Sequence, residues 1–466
     1  MTVLQIGLMT LFALILGRLK KGRNPLLLVM SVMTLFWLQP SQPENSWRFW
    51  FPFMTLFLVM LAWLLTSTKN QRSIKNNFLT IIVMTVIPLS LTLTRYLKFE
   101  NIYLTEIPRI QVVLTVTLVG FALVVLLIYL QRSISSVLLL LMLIGLITIF
   151  MIIKSPELLS ISANLLSKGE VPPVEAISWL GYSYVAFRLI HTIRDRQMGR
   201  LPDVSLGEYA NYVLFFPAIV AGPIDRLERF VIDLNEGRDI VWIDAGTRLA
   251  TGLIKKFVVA DSLAFISLNP ILAESVITTG GAWVLVYAYA FRIYFDFSGY
   301  TDIAIGIAQL TGIHLPENFL SPYLKPNLTQ FWNSWHITLT QWFRAYFFNP
   351  LTRALRTGRL GKATGLIVVI SQLTTMILIG LWHGISWNFI LWGLWHGLGL
   401  VAHNRWASWL RGRRLLWSEN ESIQWVSGWL GTALTFHYVA LGWVFFALPS
   451  SGLSMSIFEK LFGVVG

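Results

Sequence analysis

Apolar runs of about twenty residues recur along this chain, and their length limits what it can fold into more than any other feature. The runs 110–130 and 136–153, for example, contain no charged residue. A helix needs about 20 apolar residues to cross the ~30 Å hydrocarbon core of a bilayer, whereas the strands of a membrane barrel alternate apolar and polar residues. The sequence therefore predicts an all-α, polytopic integral membrane protein with roughly 11–14 membrane helices or half-helices.

Composition agrees with this class. Of the 466 residues, 55 % are hydrophobic and only 13 % are charged, against about 25 % charged in an average soluble domain. Not every predicted segment has to cross the membrane fully. The predicted segments lie near 2–17, 25–39, 49–66, 78–94, 110–130, 136–153, 175–191, 207–221, 247–266, 282–312, 328–350, 364–382, 385–402 and 427–447.

The formal net charge of +13 is concentrated in short loops between the predicted spans. Lys and Arg collect in cytoplasmic loops, so the basic clusters predict an orientation with the first residues outside, and they need no nucleic acid partner. The alternative is that they also help to hold an anionic cytosolic substrate or anionic membrane lipids. The four clusters are Arg18, Lys20, Lys21 and Arg23; Lys69, Arg72 and Lys75; Arg353, Arg356, Arg359 and Lys362; and Arg405, Arg411, Arg413 and Arg414.

The N-terminal sequence MTVLQ has no positively charged n-region, and no small-residue cleavage site follows the first apolar run. We therefore expect an uncleaved first span in a multi-pass protein of the cell (inner or plasma) membrane. The chain has no Cys, which excludes disulfides, thiolate metal sites and a cysteine-linked acyl intermediate. Any base chemistry must use other side chains.

A polar loop at 154–174 separates two kinds of sequence. Residues 1–153 are plain apolar spans and suit a scaffold of simple transmembrane helices. Residues 175–466 carry His, Asp, Arg, Gly-Pro and aromatic clusters inside apolar segments. Polar groups persist at membrane depth only where protein or a water-filled cavity surrounds them, so we expect the function to reside in 175–466.

Two motifs in this part contain charged residues within apolar segments. In FFPAIVAGPIDR (215–226), Gly222-Pro223 interrupts an apolar run, which suggests a re-entrant turn or an ordinary loop. In FRIYFDFSGYTDIAIG (291–306), Asp296, Tyr300 and Asp302 form a structural polar network or line a substrate cavity. Because a lone buried carboxylate is costly, we expect partners such as Arg292 or Arg344.

A third motif lies between Pro316 and Pro350 and predicts a helix near 328–348. Helical spacing places Trp335 and His336 on an aromatic face. Asn333, Thr340 and Arg344 fall on a different face of the same predicted helix. On periodicity alone, His336 is either a packing residue or a functional one.

The fourth motif is LWHGISWNFILWGLWHGLGL (381–400), which holds Trp-His-Gly twice. On one continuous helix, thirteen residues would separate His383 and His396 by about 20 Å, so they are alternatives and not a close pair. Either can be a packing residue. Trp382, Ser386 and Asn388 next to His383 suggest a small polar pocket there.

Five motifs occur in an order that resembles the membrane-bound O-acyltransferase (MBOAT) family, and most closely its bacterial branch that acetylates alginate and other exported polysaccharides and D-alanylates teichoic acids. They are GYSYVAF (181–187), FFPAIVAGPIDR, YFDFSGYTDIAIG, NFLSPYLKPNLTQFWNSWHITLTQWFRAYFFNPL (318–351) and GLWHGISWNFILWGLWHG (380–397). The resemblance covers about residues 175–400.

This resemblance implies a catalytic His383 and a second functional His336 on either side of a central tunnel through a ring of helices. His396 matches a histidine to which the family assigns no chemistry. The family usually reads Phe-Arg-Asp-Tyr where this chain has Phe343-Arg344-Ala345-Tyr346, so any role of that Asp is absent here or is supplied by another carboxylate. Trp335, Trp382, Ser386, Asn388, Arg344, Asp296 and Tyr300 are the expected substrate-binding residues.

Acyl transfer from a thioester to a hydroxyl needs a base near neutrality, and imidazole is the suitable side chain in a Cys-free site. We expect His383 to be that base, and His336 to assist by hydrogen bonding, by orienting the thioester or by stabilising the oxyanion. By resemblance the donor is acetyl-CoA or another acyl thioester, which meets the basic loops at 353–362 and 405–414. Neither a bound cofactor nor a metal is implied.

The implied acceptor is an exported glycan, reached directly or through a separate extracytoplasmic serine (SGNH-type) acetyltransferase. Two other classes compete with this interpretation. A transporter or lipid-linked-glycan flippase also places His, Asp and Arg in the membrane, but it predicts a repeat symmetry that the sequence does not show. A non-catalytic scaffold would tolerate loss of either motif histidine, and both are present.

Overall fold

The computed structural model describes residues 1–19, 21–40, 47–96, 107–166, 177–237, 239–358, 360–412 and 421–464. Within these ranges the chain is helical and contains no β-strand, which confirms the predicted all-α class. Six helices there are long and apolar enough to cross a membrane, and two shorter apolar helices precede them. Lys20, Arg359, Arg413, Arg414 and the latter part of the 154–174 loop lie outside the described residues.

The helices of the described ranges are numbered in chain order. They are α1 (Val3–Arg18), α2 (Arg23–Trp37), α3 (Trp47–Thr66), α4 (Ile74–Leu93), α5 (Ile110–Lys154), α6 (Pro156–Leu166), α7 (Tyr182–Gln197), α8 (Leu206–Leu214), α9 (Leu227–Glu236), α10 (Trp242–Leu253), α11 (Asp261–Ala264), α12 (Pro270–Ser275), α13 (Thr279–Leu310), α14 (Leu328–Trp332), α15 (Ile337–Phe343), α16 (Asn349–Thr357), α17 (Thr364–His383), α18 (Trp387–Gly412), α19 (Glu421–Ala447) and α20 (Ser451–Leu461). Two π-helical segments, Ile254–Ala260 and Arg344–Phe348, connect α10 to α11 and α15 to α16.

Two predicted boundaries differ from the structure. The segments predicted at 110–130 and 136–153 match the candidate spans Ile110–Leu130 and Ser135–Lys154, but both lie in one continuous 45-residue helix, α5. The polar residues between them interrupt the apolar run, but they include no Gly or Pro, so they do not end the helix. Conversely, the segment predicted at 247–266 is divided among α10, the π-helical turn and α11.

The chain forms two compact units, and the first comprises Met1–Leu249 with Ile303–Pro316. In this unit α2 packs against α4 and α8, and α3 packs against α5 and α7. The predicted division of the chain at residues 153 and 174 depends on composition and not on packing, and it stays a prediction.

The Gly-Pro motif lies in the first unit, directly after α8. Arg188 is 1 % exposed and donates to the carbonyls of Val213 at 2.8 Å and Ala218 at 3.1 Å, which satisfies backbone that leaves the helix. A Cβ on Gly222 would lie 2.4 Å from the Cα of Ala218, so the turn admits only glycine. Most of this irregular segment is buried, as the re-entrant alternative requires.

The second unit comprises Ala250–Asp302 with Glu317–Gly466 and contains the third and fourth motifs. Its principal contact is between α17 and α18, which follow each other after a short turn. A Cβ on Gly380 would lie 2.1 Å from the carbonyl oxygen of Phe389, and one on Gly393 would lie 2.6 Å from that of Met376. These glycines let the two backbones touch, as expected of small residues between membrane helices.

Candidate active site

His336 lies in a break between two short helices of the second unit. α14 ends at Trp332 and α15 begins at Ile337, and His336 itself has left-handed backbone with φ 42° and ψ 54°. A non-glycine residue held there costs about 1–3 kcal/mol, and such residues collect at functional sites. The predicted continuous helix over 328–348, and the helical face assigned to His336, are therefore wrong. The apolar pattern continued through the break because the turn is buried as well, with Trp335 only 4 % exposed.

Asn318 determines which nitrogen of His336 carries the proton. The backbone N–H of Thr338 donates to Oδ1 of Asn318 at 3.2 Å, and the hydroxyl of Thr338 donates to the same atom at 2.9 Å. Because a backbone N–H can only donate, this atom is the amide oxygen. The Nδ1 of His336, 3.0 Å from it, must therefore donate as well. Nε2 is then the unprotonated nitrogen of a neutral imidazole.

The Nε2 atom of His336 is buried and has no hydrogen-bond partner among the described residues. His336 is 2 % exposed and lies outside the six candidate spans, and burial lowers the pKa of its imidazole to about 3. The ring is thus neutral at physiological pH. A buried acceptor in a defined tautomer is suited to accept a hydrogen bond from a substrate, whereas a pKa this low makes the ring a poor general base.

Trp382 lies between the two predicted catalytic histidines. Its ring centroid is 6.0 Å from that of His336 and 4.5 Å from that of His383. The two imidazoles are therefore no more than about 10.5 Å apart, since both contact the same indole. Phe297 of α13 packs against His336 at 4.7 Å. The structure thus brings His336, Trp382 and His383 together in one site.

His383 is the last residue of α17 and is half-buried, more accessible than His336. The aromatic rings of Phe446, Trp392 and Phe389 surround it, with centroids at 4.7, 5.6 and 5.9 Å. Three aromatic rings thus form one part of its surroundings, and the small polar pocket that the sequence suggested stays a prediction. An aromatic wall limits the access of water to a reactive thioester.

The two polar residues expected in that pocket have other contacts. The carbonyl of Ser386 accepts the N–H of Ile390 at 3.2 Å at the start of α18. Asn388 is 2 % exposed and donates to the carbonyl of Leu448 at 2.7 Å and to Oγ of Ser454 at 3.1 Å. The contacts of Asn388 join α18 to α20, while its Oδ1 has no hydrogen-bond partner among the described residues. Substrate binding by Ser386 and Asn388 stays a prediction.

His396 lies on α18, within the same aromatic cluster. The 381–400 stretch is divided between α17 and α18, and the estimate of 20 Å for one continuous helix does not apply. The centroids of His383 and His396 lie 5.6 and 5.0 Å from that of Trp392. His396 is fully buried, and a Cβ on Gly442 would lie 2.7 Å from its Nε2. Both of its ring nitrogens also lack a hydrogen-bond partner among the described residues, so its closer packing, and not an unpaired nitrogen, distinguishes His396 from His336.

The carboxylates of α13 are paired with lysines. Lys256 contacts Asp296 at 2.5 Å and Lys255 contacts Asp302 at 2.7 Å, whereas Arg292 donates to Oγ of Ser267 at 2.9 Å. The expected pairing of these carboxylates is present, but the pairs involve lysines in place of the suggested Arg292 and Arg344. Both lysines lie in the π-helical segment after α10, where an irregular helix places consecutive side chains toward α13.

The other α13 candidates differ in exposure. The side chain of Asp296 is 49 % exposed, whereas that of Asp302 is 7 % exposed. Tyr300 is 8 % exposed. Burial with a lysine partner makes Asp302 a member of a structural polar network, and the accessible carboxylate of Asp296 remains the better candidate for substrate contact.

Arg344 begins the second π-helical segment and lines a separate cavity of about 180 Å³ in the second unit. Its Nη2 donates to Oδ1 of Asn333 at 2.7 Å. Arg344, Asn333 and Thr340 line this cavity together with Trp332 and Phe343 of the predicted aromatic face, whereas His336 does not, so the two predicted faces are not separated. Trp335 lies elsewhere, in an aromatic cluster formed with Phe319, Tyr323, Phe331 and Trp443.

Sequence reasoning missed Asn318 and the two lysines. Asn318 is 18 residues before His336 and follows an irregular proline-containing segment, so no periodicity relates them. In the sequence, Lys255 and Lys256 resemble polar residues at the edge of a membrane span, because the spacing of apolar residues does not indicate a π-helical turn. The resemblance provided the only signal for Asn318, which begins the NFLSPY motif.

The helical architecture defines a multi-span membrane protein, and it places two motif histidines beside one indole. Residues 245–441 match the membrane-bound O-acyltransferase family, and this range contains Trp382 and both of its histidine neighbours. Over 289 residues the chain is 31 % identical to the teichoic acid D-alanyltransferase of Streptococcus thermophilus, covering 58 % of this chain and 68 % of that protein. The chain belongs to the membrane-bound O-acyltransferase family and is an acyltransferase.

Other relatives carry related names. The probable alginate O-acetylase of Azotobacter vinelandii is 33 % identical over 310 residues, which cover 65 % of this chain and 58 % of that protein. The peptidoglycan O-acetyltransferase of Helicobacter pylori is 33 % identical over 265 residues, which cover 56 % of this chain and 47 % of that protein. The chain thus spans about half the length of these two relatives.

Proposed function

We propose that this enzyme moves an acetyl group from a cytosolic thioester, acetyl-CoA, to a hydroxyl of an exported polysaccharide, or to the serine of an extracytoplasmic acetyltransferase that serves it. We place it in the cell membrane, with the basic loops in the cytoplasm. The observation that carries the proposal is the position of two imidazoles on one indole, His336 with a defined acceptor nitrogen and His383 with greater access.

In this proposal His383 is the general base. Its imidazole takes the proton of the acceptor hydroxyl as the oxygen attacks the thioester carbonyl. The carbon–sulfur bond then breaks, and the imidazolium returns the proton to the thiolate that leaves. Atoms and charges balance without a metal or a covalent enzyme intermediate. The greater exposure of His383 relative to His336 supports this assignment, because a base must reach the substrate.

His336 has a narrower role than the sequence suggested. In the tautomer that Asn318 imposes, Nε2 carries a lone pair and cannot donate to an oxyanion. Of the three expected roles, oxyanion stabilisation is therefore disfavoured in this state. Accepting a hydrogen bond remains, and this would orient a donor or acceptor group beside Trp382.

The names of the relatives support an envelope polymer as the final acceptor. They refer to alginate, teichoic acid and peptidoglycan, which share a location outside the cytoplasm and an abundance of hydroxyls. Two of these names specify O-acetyl transfer and one specifies D-alanyl transfer, so acetyl is the proposed group and D-alanyl is the competitor.

The test uses the purified full-length protein in nanodiscs with radiolabelled thioesters and alginate or peptidoglycan oligosaccharides. We expect label from acetyl-CoA, but not from a long-chain acyl-CoA, to reach the oligosaccharide or a supplied serine acetyltransferase. Transfer from the long-chain donor alone would contradict the proposal, and transfer only from a D-alanyl carrier-protein thioester would replace acetyl with D-alanyl.

Two matched variants test whether this activity depends on His383. His383→Ala should abolish transfer. His437→Ala should not, because His437 is an exposed histidine of the same unit whose Nδ1 lies 2.7 Å from the carbonyl oxygen of Ala433, one turn earlier on its own helix. Equal activity in both variants would remove His383 from the mechanism.

A further inference from the structure

The first unit contains a large apolar pocket, and none of its lining residues belongs to the histidine site. Its volume is about 750 Å³, within the range of about 300–1,000 Å³ typical of ligand pockets. Its walls come from α1, α2, α3 and α4 and from Ile107, and they are formed largely by apolar side chains. Among these are Phe12, Met30, Met33, Phe36, Ile87 and Leu91.

One charged residue, Arg48, lines this pocket. It is the second residue of α3, is half-buried, and has no ion-pair or hydrogen-bond partner among the described residues. A guanidinium beside an apolar cavity is costly unless an anion accompanies it. The pocket therefore places a half-buried guanidinium, without an ion-pair partner among the described residues, beside a long apolar space.

A second polar group in the pocket is also unmatched. Thr34 of α2 lines the cavity and is 1 % exposed. Its Oγ1 is buried without a hydrogen-bond partner among the described residues. Buried hydroxyls are normally paired with protein or with a bound molecule. This hydroxyl is too deeply buried for a molecule in the pocket to reach it, so Arg48 is the group that favours a ligand with an anionic end and an apolar body.

The position of the pocket along its helices indicates which leaflet of the membrane it faces. Its wall includes Trp37 at the end of α2, Arg48 at the start of α3 and Thr94 just after α4. The basic loops 18–23 and 69–75 lie at the opposite ends of these helices. By the distribution of positive charge those loops are cytoplasmic, so Arg48 lies at the level of the outer leaflet.

We propose that this pocket binds an anionic phospholipid of the outer leaflet, with an acyl chain in the apolar cavity and its phosphate at Arg48. Guanidinium is a suitable partner for phosphate because it donates two parallel hydrogen bonds and stays charged. The site uses no residue of the histidine site.

The test is native mass spectrometry of the full-length protein released from nanodiscs of equal parts phosphatidylglycerol and phosphatidylcholine. We expect one retained phosphatidylglycerol, preferred over phosphatidylcholine by about 5-fold, the preference that one basic residue near a membrane surface typically confers. Arg48→Gln should remove the preference, and Arg48→Lys should restore much of it.

Arg109→Gln is the matched control, since Arg109 is an exposed arginine next to α5 at the same end of the unit and does not line the pocket. It should retain phosphatidylglycerol like the wild type. Ser90→Trp, which places a large side chain in the pocket, should lose the bound lipid whatever its headgroup.

Equal retention of the two lipids by the wild type would overturn the role of Arg48. So would unchanged retention in Arg48→Gln, or recovery of a polyprenyl-linked glycan instead of a phospholipid. Retention that survives Ser90→Trp would show that the lipid binds elsewhere. Monodisperse elution of each variant confirms folding, and none of these measurements depends on acyl transfer.

Discussion

The Nδ1 atom of His336 and the Oδ1 atom of Asn318 lie 3.0 Å apart, and this contact sets the chemistry available to the imidazole. Asn318 accepts three hydrogen bonds at one oxygen, two of them from Thr338, so its amide cannot turn over without losing them. The left-handed backbone of His336 positions the ring for this contact. The orientation of a neutral imidazole is thus built into the turn between α14 and α15.

Asn318→Leu should reduce acyl transfer while the protein stays folded, because His336 then loses the partner that fixes its tautomer. General acid–base catalysis contributes about 10²–10⁴-fold, and losing part of that contribution should lower kcat by about 10–10²-fold. Single-turnover kinetics with labelled thioester measure the loss. A variant with wild-type kcat would show that the tautomer of His336 does not matter.

Asn388→Leu is the matched control, since Asn388 is another buried asparagine of the second unit, bonded to Leu448 and Ser454. It should lower the melting temperature and leave the activity per folded molecule near wild type. A specific loss of substrate affinity in this variant would support the original prediction that Asn388 binds substrate.

Topology can be tested by cysteine labelling, because the chain contains no Cys of its own. We expect Lys21→Cys and Thr357→Cys, next to two basic clusters, to be protected from an impermeant reagent added to intact cells. Lys21 is preferred to its neighbour Gly22, whose φ of 75° disfavours a side chain. Arg109→Cys should label. Labelling of both predicted cytoplasmic positions would invert the orientation.

The class and the long helices could be predicted from the sequence because bilayer thickness and backbone hydrogen bonding leave few solutions. Helix α17 shows this, since its predicted range of 364–382 differs from Thr364–His383 by one residue. The failures occur where the chain leaves regular helix inside buried surroundings. At His336 the side chains on both sides of the break are apolar, so periodicity continued across a turn that only the backbone reveals.

The partners of the site residues were harder to predict than the residues themselves. His336, His383 and Trp382 were identified by motif and are adjacent in space. Asn318 and the lysine partners of the α13 carboxylates come from distant sequence and depend on an irregular segment and a π-helical turn. Such contacts are set by tertiary packing, which local patterns do not encode.

Gly442→Ala should destabilise the second unit, because its Cβ would lie 2.7 Å from Nε2 of His396. Overpacking of this kind costs about 1–3 kcal/mol, measurable as a lower melting temperature in detergent. The matched control is Gly428→Ala on the same helix, where a Cβ meets nothing within 4 Å. That change should be neutral or stabilising, since Ala is the better helix former.

The double variant Gly442→Ala with His396→Ala tests whether His396 is the residue that clashes. Removing the imidazole should recover part of the lost stability, since the nearest contact of the new methyl disappears. A remaining contact of 3.0 Å with Cδ1 of Trp395 sets the limit of the rescue. Purely additive losses would instead show that the two residues do not share this space.

Alanine substitution of each of the three motif histidines should affect activity and stability differently. His383→Ala should remove acyl transfer with little change in folding, because its half-buried ring is the proposed base. His336→Ala should lower kcat by about 10²–10⁴-fold, as expected when proton transfer loses a positioned group. His396→Ala should lower stability and spare kcat, since its fully buried ring packs against Trp332, Trp392 and Trp443. Turnover and melting temperature, measured on the same nanodisc preparations, separate these outcomes. Retained turnover in His383→Ala, together with a folded but inactive His396→Ala, would assign the base to the second Trp-His-Gly instead of the first.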